Sequence, residues 1–293
     1  MKILIVGASG FVGGHLIEIA RARGHEVIGT QRSAQRNDLV HFDLVEQRLG
    51  ETFDRGWFQS AVVIACAAIQ QIDQCRQDPI ASRRLNVEAT ERLLVDAAEL
   101  GAQPVFISSS FVFSGTDASY RESAPRRPIN AYGEQKAATE QFLEENLPNS
   151  LRVRFDKTVG DRPTEKHLFS EWYGWWHKRQ PLRCIADQRF APTLVDDAAL
   201  GLLLACEQQL VGTYHIANPE SFTRAELADL FLRHFGDPVP IICKTQAELG
   251  FLDLRPPCSV LDSSKLCAAT EMKFTAMRET IERFRAAVEK HPL

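Results

Sequence analysis

Tyr132 and Lys136 stand four residues apart in Tyr-Gly-Glu-Gln-Lys. Three serines, Ser108, Ser109 and Ser110, close the apolar run at 104–107. On a helix, positions i and i+4 share a face, with Cβ atoms about 6 Å apart. A free tyrosine has a pKa of about 10, too high for easy proton exchange at neutral pH. A neighbouring ammonium favours the phenolate. A tyrosine so placed can give a proton to a carbonyl oxygen, and a serine hydroxyl can hydrogen-bond and orient that oxygen. Tyr-x-x-x-Lys alone is common by chance, and a serine cluster at a strand end is usually a turn cap. Both gain weight from what lies upstream.

Residues 7–13 read Gly-Ala-Ser-Gly-Phe-Val-Gly, directly after the apolar run 3–6 and at the start of a helix-like stretch. Glycines there permit a tight turn and close approach of backbone to a pyrophosphate. The helix start supplies unpaired N–H groups and a positive dipole end. This context predicts a dinucleotide cradle made by Gly7, Ser9, Gly10, Phe11, Val12 and Gly13; the alternative is a turn with no ligand. An acidic residue ending the second strand would bond a ribose 2′-hydroxyl. Gly29-Thr30-Gln31-Arg32-Ser33 has no carboxylate and offers Arg32 and Ser33, with Arg36 nearby. A guanidinium and a hydroxyl suit a 2′-phosphate, which favours NADP and leaves NAD open. Asp43, followed by Leu44 after the third strand, is a candidate contact to the adenine amino group or a helix cap. With such a cofactor, Lys136 can hold the nicotinamide ribose, and an oxidised nicotinamide adds positive charge beside Tyr132.

The elements that must position these groups alternate. Strands are predicted at 3–6, 27–30, 40–42, 61–65, 105–107 and 151–154, and helices at 12–23, 79–100 and 131–147. That alternation predicts an α/β, Rossmann-type doubly wound parallel sheet with right-handed crossovers. Beyond 155 the pattern loosens. A helix over 164–179 carries Phe169, Trp172, Tyr173, Trp175 and Trp176, a cluster that reads as core or lobe interface more than as a stacking platform. Asp196-Asp197 reads as the N-cap of the next helix. A strand is predicted at 213–216, a helix over 223–235 behind the capping box Thr223–Glu226, and a last helix over 275–288. The expected organisation is a dinucleotide-binding domain over 1–155, with segments returning at about 186–217. A smaller mixed α/β substrate-binding lobe makes up most of 156–293.

Composition excludes several classes. Of 293 residues, 44% are hydrophobic and 25% charged, enough for a large core. A net charge of −4 and basic pairs no longer than Arg83-Arg84 and Arg126-Arg127 argue against nucleic acid as partner. No apolar run approaches the roughly 18 residues of a membrane span, and the run at the start is too short for a signal peptide. Seven cysteines, an odd number with no CxxC spacing, predict reduced thiols and a cytoplasmic setting, with Cys66 and Cys206 read as buried. Eight histidines without HxxxH spacing predict no metal site.

Together these residues resemble the extended short-chain dehydrogenase/reductases, and more closely the dTDP-4-dehydrorhamnose reductase family. The likeness rests on Phe113-Ser114-Gly115-Thr116, Tyr120-Arg121-Glu122, Pro128-Ile129-Asn130, Tyr132-Gly133 and Lys136. It extends through Ala67-Ala68, Asp73-x-Cys75, Asn86-Val87, Asp187-Gln188, Ala191-Pro192-Thr193, Arg255-Pro256 and Leu261-Asp262-Ser263-Ser264-Lys265-Leu266. It implies a Rossmann domain with a sugar-nucleotide lobe, and reduction of a 4-keto nucleotide sugar by a nicotinamide cofactor. By position it assigns Ser109, Tyr132 and Lys136 to catalysis and places Ala67 and Asn86 beside the cofactor; Asn86 also reads as a hydrogen bonder in the core. The chain departs from the family where Ser110-Phe111 replaces Asp-Tyr and where Lys157 replaces the Trp of an Arg-x-x-Trp segment. Ser110, Phe111 and Lys157 are therefore candidate substrate contacts for an altered sugar, Lys157 toward an anionic group. Arg255 is a candidate diphosphate contact, since a guanidinium fork fits phosphate oxygens; otherwise it is a surface arginine. Two other readings stand: an epimerase or dehydratase with bound NAD, opposed by the missing carboxylate after the second strand, and a non-catalytic dinucleotide-binding regulatory subunit, opposed by the retained Tyr132 and Lys136. The expected partner is a nucleotide sugar, with a homodimer left open.

Overall fold

The computed structural model describes residues 1–33 and 36–290. Seven parallel strands form the central sheet: β1 (Lys2–Val6), β2 (Glu26–Gln31), β3 (Val40–His41), β4 (Val62–Ala65), β5 (Gln103–Ser109), β6 (Leu151–Phe155) and β7 (Gly212–Ile216). Their order is β3-β2-β1-β4-β5-β6-β7. Ile3 and Ile5 pack into one core layer while Leu4 and Val6 pack into the other, as the two-residue period of a strand demands. Apolar side chains are needed on both faces because helices cover both. On one side lie α1 (Phe11–Ala22) and, later in the chain, Val195–Glu207; on the other lies the helical stretch ending in α2 (Thr90–Glu99). The chain leaves β1 toward β2 on one side and toward β4 on the other. The crevice at the strand ends beside that switch is where doubly wound folds bind ligands.

The helix expected over 79–100 is present but interrupted. An α-turn at Pro79–Arg83 runs into a π-helical stretch at Arg84–Ala89 before α2, and Asn86 lies within it. α3 (Ala131–Asn146) follows the expected bounds. α4 (Leu168–His177) starts four residues later than the sequence suggested. His167 caps it: its ring accepts from Phe169 N, and Ser170 closes the reciprocal bond. α5 (Val195–Glu207) is capped by Leu194, not by the paired aspartates. Asp196 instead reaches His15 of α1, and Asp197 accepts from Thr275 N. α6 (Arg224–Phe235) carries the Thr223–Glu226 capping box as expected. With α7 (Met277–Lys290) it encloses an aromatic core of Phe169, Trp172, Phe231 and Phe284. Beside this core, Leu182–Ile185 pairs in parallel with Ile241–Lys244. Among the described residues, no helix is long and apolar enough to cross a membrane.

Candidate active site

Two cavities bear on the site, one at the ends of β1, β2 and β4 and one in the C-terminal part of the chain. The first, of roughly 390 Å³, lies over the β1–α1 turn. Gly7 has φ +95°, and a Cβ there would stand 2.7 Å from Ala67 N; a Cβ on Gly13 would stand 2.4 Å from Gly7 O. These two glycines let the ends of β1 and β4 and the start of α1 close on one another. Gly10 caps α1 with no side chain on its first amides, and Ser9, Gly10 and Phe11 line the cavity. Arg32 and Ser33, exposed after β2, form another part of its wall with Asp43, Leu44 and Ala67. Asp43 also accepts from Val45 N at 2.9 Å, so both readings of it hold in part. Uncapped amides, a cradle that a Cβ would fill, and a cationic ribose end without a carboxylate fit an NADP-type dinucleotide.

Four expectations change here. Val12 packs into the core and Gly13 is buried behind the loop, so they shape the cradle without lining it. Arg36 pairs with Asp38. Cys66 is only half-buried and lines the cavity. Asn86 is buried and its amide spans the Ile69 backbone, accepting from Ile69 N at 2.8 Å and donating to Ile69 O at 2.9 Å. It also donates to Gln135 at 2.8 Å. It thus fixes a loop on the cavity wall; the alternative reading, a hydrogen bonder in the core, describes it.

At the end of β5 the three serines have three different partners. Ser108, buried, donates to Glu140. Ser109 accepts from Phe111 N at 3.2 Å and stands beside the Tyr132 side chain, whose phenol pKa it lowers. Ser110 is buried and donates to Asp156 at 3.0 Å, so it is not presented to a substrate as expected. A buried carboxylate needs donors. Asp156 also takes Ala191 N, yet burial still pushes its carboxyl up to about 6. Phe111 remains at the site, edge-on to Tyr132 at 6.2 Å.

Asn130 caps α3 by accepting from Gly133 N at 2.7 Å, which puts Tyr132 in the first turn. A Cβ on Gly133 would lie 2.1 Å from Phe111 O, so glycine brings this helix against the turn after Ser109. Lys136 is buried, 4.6 Å from the Phe106 ring centre, and its Nζ donates to Ile107 O at 2.8 Å. Burial pushes its ammonium down to about 8. Tyr132 shifts the other way from the sequence expectation. Burial raises the phenol, and only Ser109 opposes it, because Lys136 is turned to a carbonyl. The resting site therefore holds a protonated phenol.

The second cavity, of roughly 1140 Å³, opens between α4 and the strand pair 182–185/241–244. Lys157 lines it, as the resemblance implied. So do Arg183, Arg224 and Lys244, which the sequence reading missed. No motif brings together strands whose paired residues, such as Leu182 and Ile241, are 59 positions apart; only the Thr223 capping box, which put residue 224 at a helix start, was legible. Trp172 is both core and cavity wall, and Trp175 lines the cavity. Arg255 does not line it. Its guanidinium pairs with Asp73 at 2.8 Å, donates to Asp253 O at 2.6 Å and lies over Phe251 at 3.6 Å. A guanidinium with its donors so engaged is a clasp between two parts of the chain.

Ser109, Tyr132 and Lys136 line neither cavity but stand near residues of both walls. Cys66 of the first wall is close enough to Lys136 to feel its charge, and Lys157 of the second follows Asp156, which holds Ser110. A doubly wound sheet, a glycine cradle after β1 and a Ser–Tyr–Lys cluster at β5 define an oxidoreductase of the extended short-chain dehydrogenase/reductase class. Within it, the chain belongs to the family described as the RmlD substrate binding domain, which matches residues 1–290. It is 25% identical over 298 residues to a probable low-salt glycan biosynthesis reductase, Agl14, of Haloferax volcanii, covering 99% of this chain and 97% of that protein. It is 30% identical over 275 residues to methionine adenosyltransferase 2 subunit beta of Xenopus tropicalis, covering 90% and 81%. A solved dTDP-4-dehydrorhamnose reductase of Bacillus anthracis in complex with NADP superposes with a TM-score of 0.83 at 24% identity, covering 97% of this chain and 98% of that one.

Proposed function

We propose that this chain is an NADPH-dependent reductase of a keto group on a nucleotide-linked sugar. The observation that carries this reading is the Ser109–Tyr132–Lys136 cluster at the end of β5 and start of α3, near the wall of a dinucleotide-shaped cavity, in a chain that also has a large cationic, aromatic cavity. When bound, the nicotinamide supplies the hydride. Tyr132, protonated at rest, gives its proton to the carbonyl oxygen, which Ser109 orients. The phenolate left behind is stabilised by Lys136, whose ammonium lies 5.8 Å from the ring centre and turns from Ile107 O toward the phenol oxygen. Residues 1–155 with the returning β7 form the dinucleotide-binding part, and the remainder holds the sugar nucleotide. Cysteines that are all unpaired thiols support a cytoplasmic setting. The test is NADPH oxidation with a panel of 4-keto nucleotide sugars; no turnover with any of them overturns the proposal.

Arg32 decides the cofactor. Arg32→Gln is expected to weaken NADPH binding about tenfold or more and leave NADH binding unchanged, as read by calorimetry. Equal losses for both would remove Arg32 from the 2′-phosphate. The pH profile follows from Lys136. Its ammonium loses charge as pH rises through about 8, so kcat/KM for reduction is expected to fall above that value. A profile flat to pH 10 would contradict the role given to Lys136.

The 30% likeness to methionine adenosyltransferase 2 subunit beta favours one second reading, a dinucleotide-binding partner of another enzyme. Tight NADPH binding without turnover would select it.

A further inference from the structure

The second cavity carries more positive charge than a diphosphate needs. Lys157, Lys166, Arg183, Arg224 and Lys244 line it against one carboxylate, Glu171. Among the described residues none of the five forms an ion pair, whereas Arg179 and Arg189 of the same lobe pair with Asp237 and Glu226. Lys157, Lys166, Arg183 and Lys244 are exposed and Arg224 is half-buried; a cleft lined by charges of one sign concentrates an anionic ligand. Arg224 is the most enclosed of the five. Its guanidinium lies over the Phe190 ring at 4.1 Å, and its Nε is buried with no hydrogen-bond partner. Burial pushes Arg224 down to about 10; Lys157 stands exposed at the cavity mouth beside it.

A sugar nucleotide brings one negative charge per phosphate, about two in all. Arg183 and Lys244, on the paired strands, match that charge. With Lys166 counted against Glu171, Lys157 and Arg224 remain, and the place of Lys157 is informative. Phe155 is the register partner of Ser109, and Lys157 follows two residues later. Asp156 between them holds Ser110. Lys157 thus stands at the end of the cavity next to Ser109, where the sugar must lie if its keto carbon is reduced.

We propose that the sugar itself carries a carboxylate, received by Lys157 together with Arg224. This rests on the reductase reading, which puts the sugar at Ser109. The test is binding, which needs no turnover. The fluorescence of Trp172 and Trp175, on the cavity wall, is titrated with UDP, UDP-glucose and UDP-glucuronate, and with the thymidine counterparts. The expected result, in at least one series, is that the glucuronate binds about tenfold tighter than the glucose form. Lys157→Met removes that advantage and leaves the nucleoside diphosphate unchanged; Lys157→Arg keeps it. Equal affinity for the two sugars in the unaltered chain overturns the proposal. So does a Lys157→Met variant that loses the nucleoside diphosphate equally, or binding of neither series. Retained nucleoside diphosphate affinity also reports that Lys157→Met is folded. If glucuronate selectivity holds while NADPH oxidation is absent with both acidic and neutral keto sugars, the reductase reading has failed and the carboxylate site has not.

Discussion

Tyr132→Phe is expected to lower kcat for carbonyl reduction by about a thousandfold while leaving NADPH affinity unchanged. Removing a positioned proton donor costs roughly 10²- to 10⁴-fold. The low end of that range does not apply because no second acid stands ready: the Lys136 ammonium is turned to Ile107 O. The ring itself is kept by phenylalanine, so its edge contact with Phe111 and the start of α3 survive. Ser109→Ala removes only an orienting donor and is expected to cost less, about a hundredfold. Stopped-flow single-turnover rates separate these losses from product release. A Tyr132→Phe variant as active as the unaltered chain would remove Tyr132 from the proton transfer, and no turnover by either would leave the regulatory reading.

What the sequence showed about this site and what it hid follow one physical division. Local patterns were legible. The two-residue alternation of buried strands, the glycine loop, and Tyr132 and Lys136 one helical turn apart all arise from neighbours in the chain, and the structure has them at the expected places. Partners distant in the chain were hidden. Ser110 looked like a substrate contact until Asp156 took its hydroxyl, and Arg255 looked free until Asp73, 182 residues away, took its guanidinium. The aspartates at 196 and 197 looked like a cap because the sequence cannot show that His15 lies over them. The sign of the Tyr132 shift was misjudged for the same reason. Proximity of Lys136 was readable, but the burial that outweighs it is a property of the packed fold.

The largest stability effect is expected beneath the serines, at Glu140. Its side chain is 0% exposed and that of Arg154 2%. Arg154 Nε and Nη2 donate to the two carboxylate oxygens at 2.8 and 2.6 Å, Ser108 donates to one, and Arg126 donates at 3.1 Å. Burial alone would raise the Glu140 carboxyl, but the bonds and charge of Arg154 outweigh it and hold the group below the usual range. A neighbouring imidazole cannot take over as counter-charge: burial and Arg154 push His215 down to about 3, so it stays neutral. Glu140→Ala leaves an uncompensated guanidinium and is expected to destabilise the chain by about 3–5 kcal/mol, read from urea unfolding. Replacing both partners, Glu140→Leu with Arg154→Leu, removes the unpaired charge and is expected to recover most of that loss. The pH dependence has a definite sign. A carboxylate depressed in the fold contributes stability above its unfolded value of about 4.3, and that contribution is lost as pH falls through the folded value. The gap between the unaltered chain and Glu140→Gln should therefore be constant from pH 5 to 8 and close in acid. Because glutamine offers one acceptor oxygen where Ser108, Arg126 and Arg154 share two, next to Ser109, Glu140→Gln should also lower kcat more than it raises KM. A gap that persisted undiminished well below pH 4 would mean that packing, not this ion pair, holds the end of β5 in place.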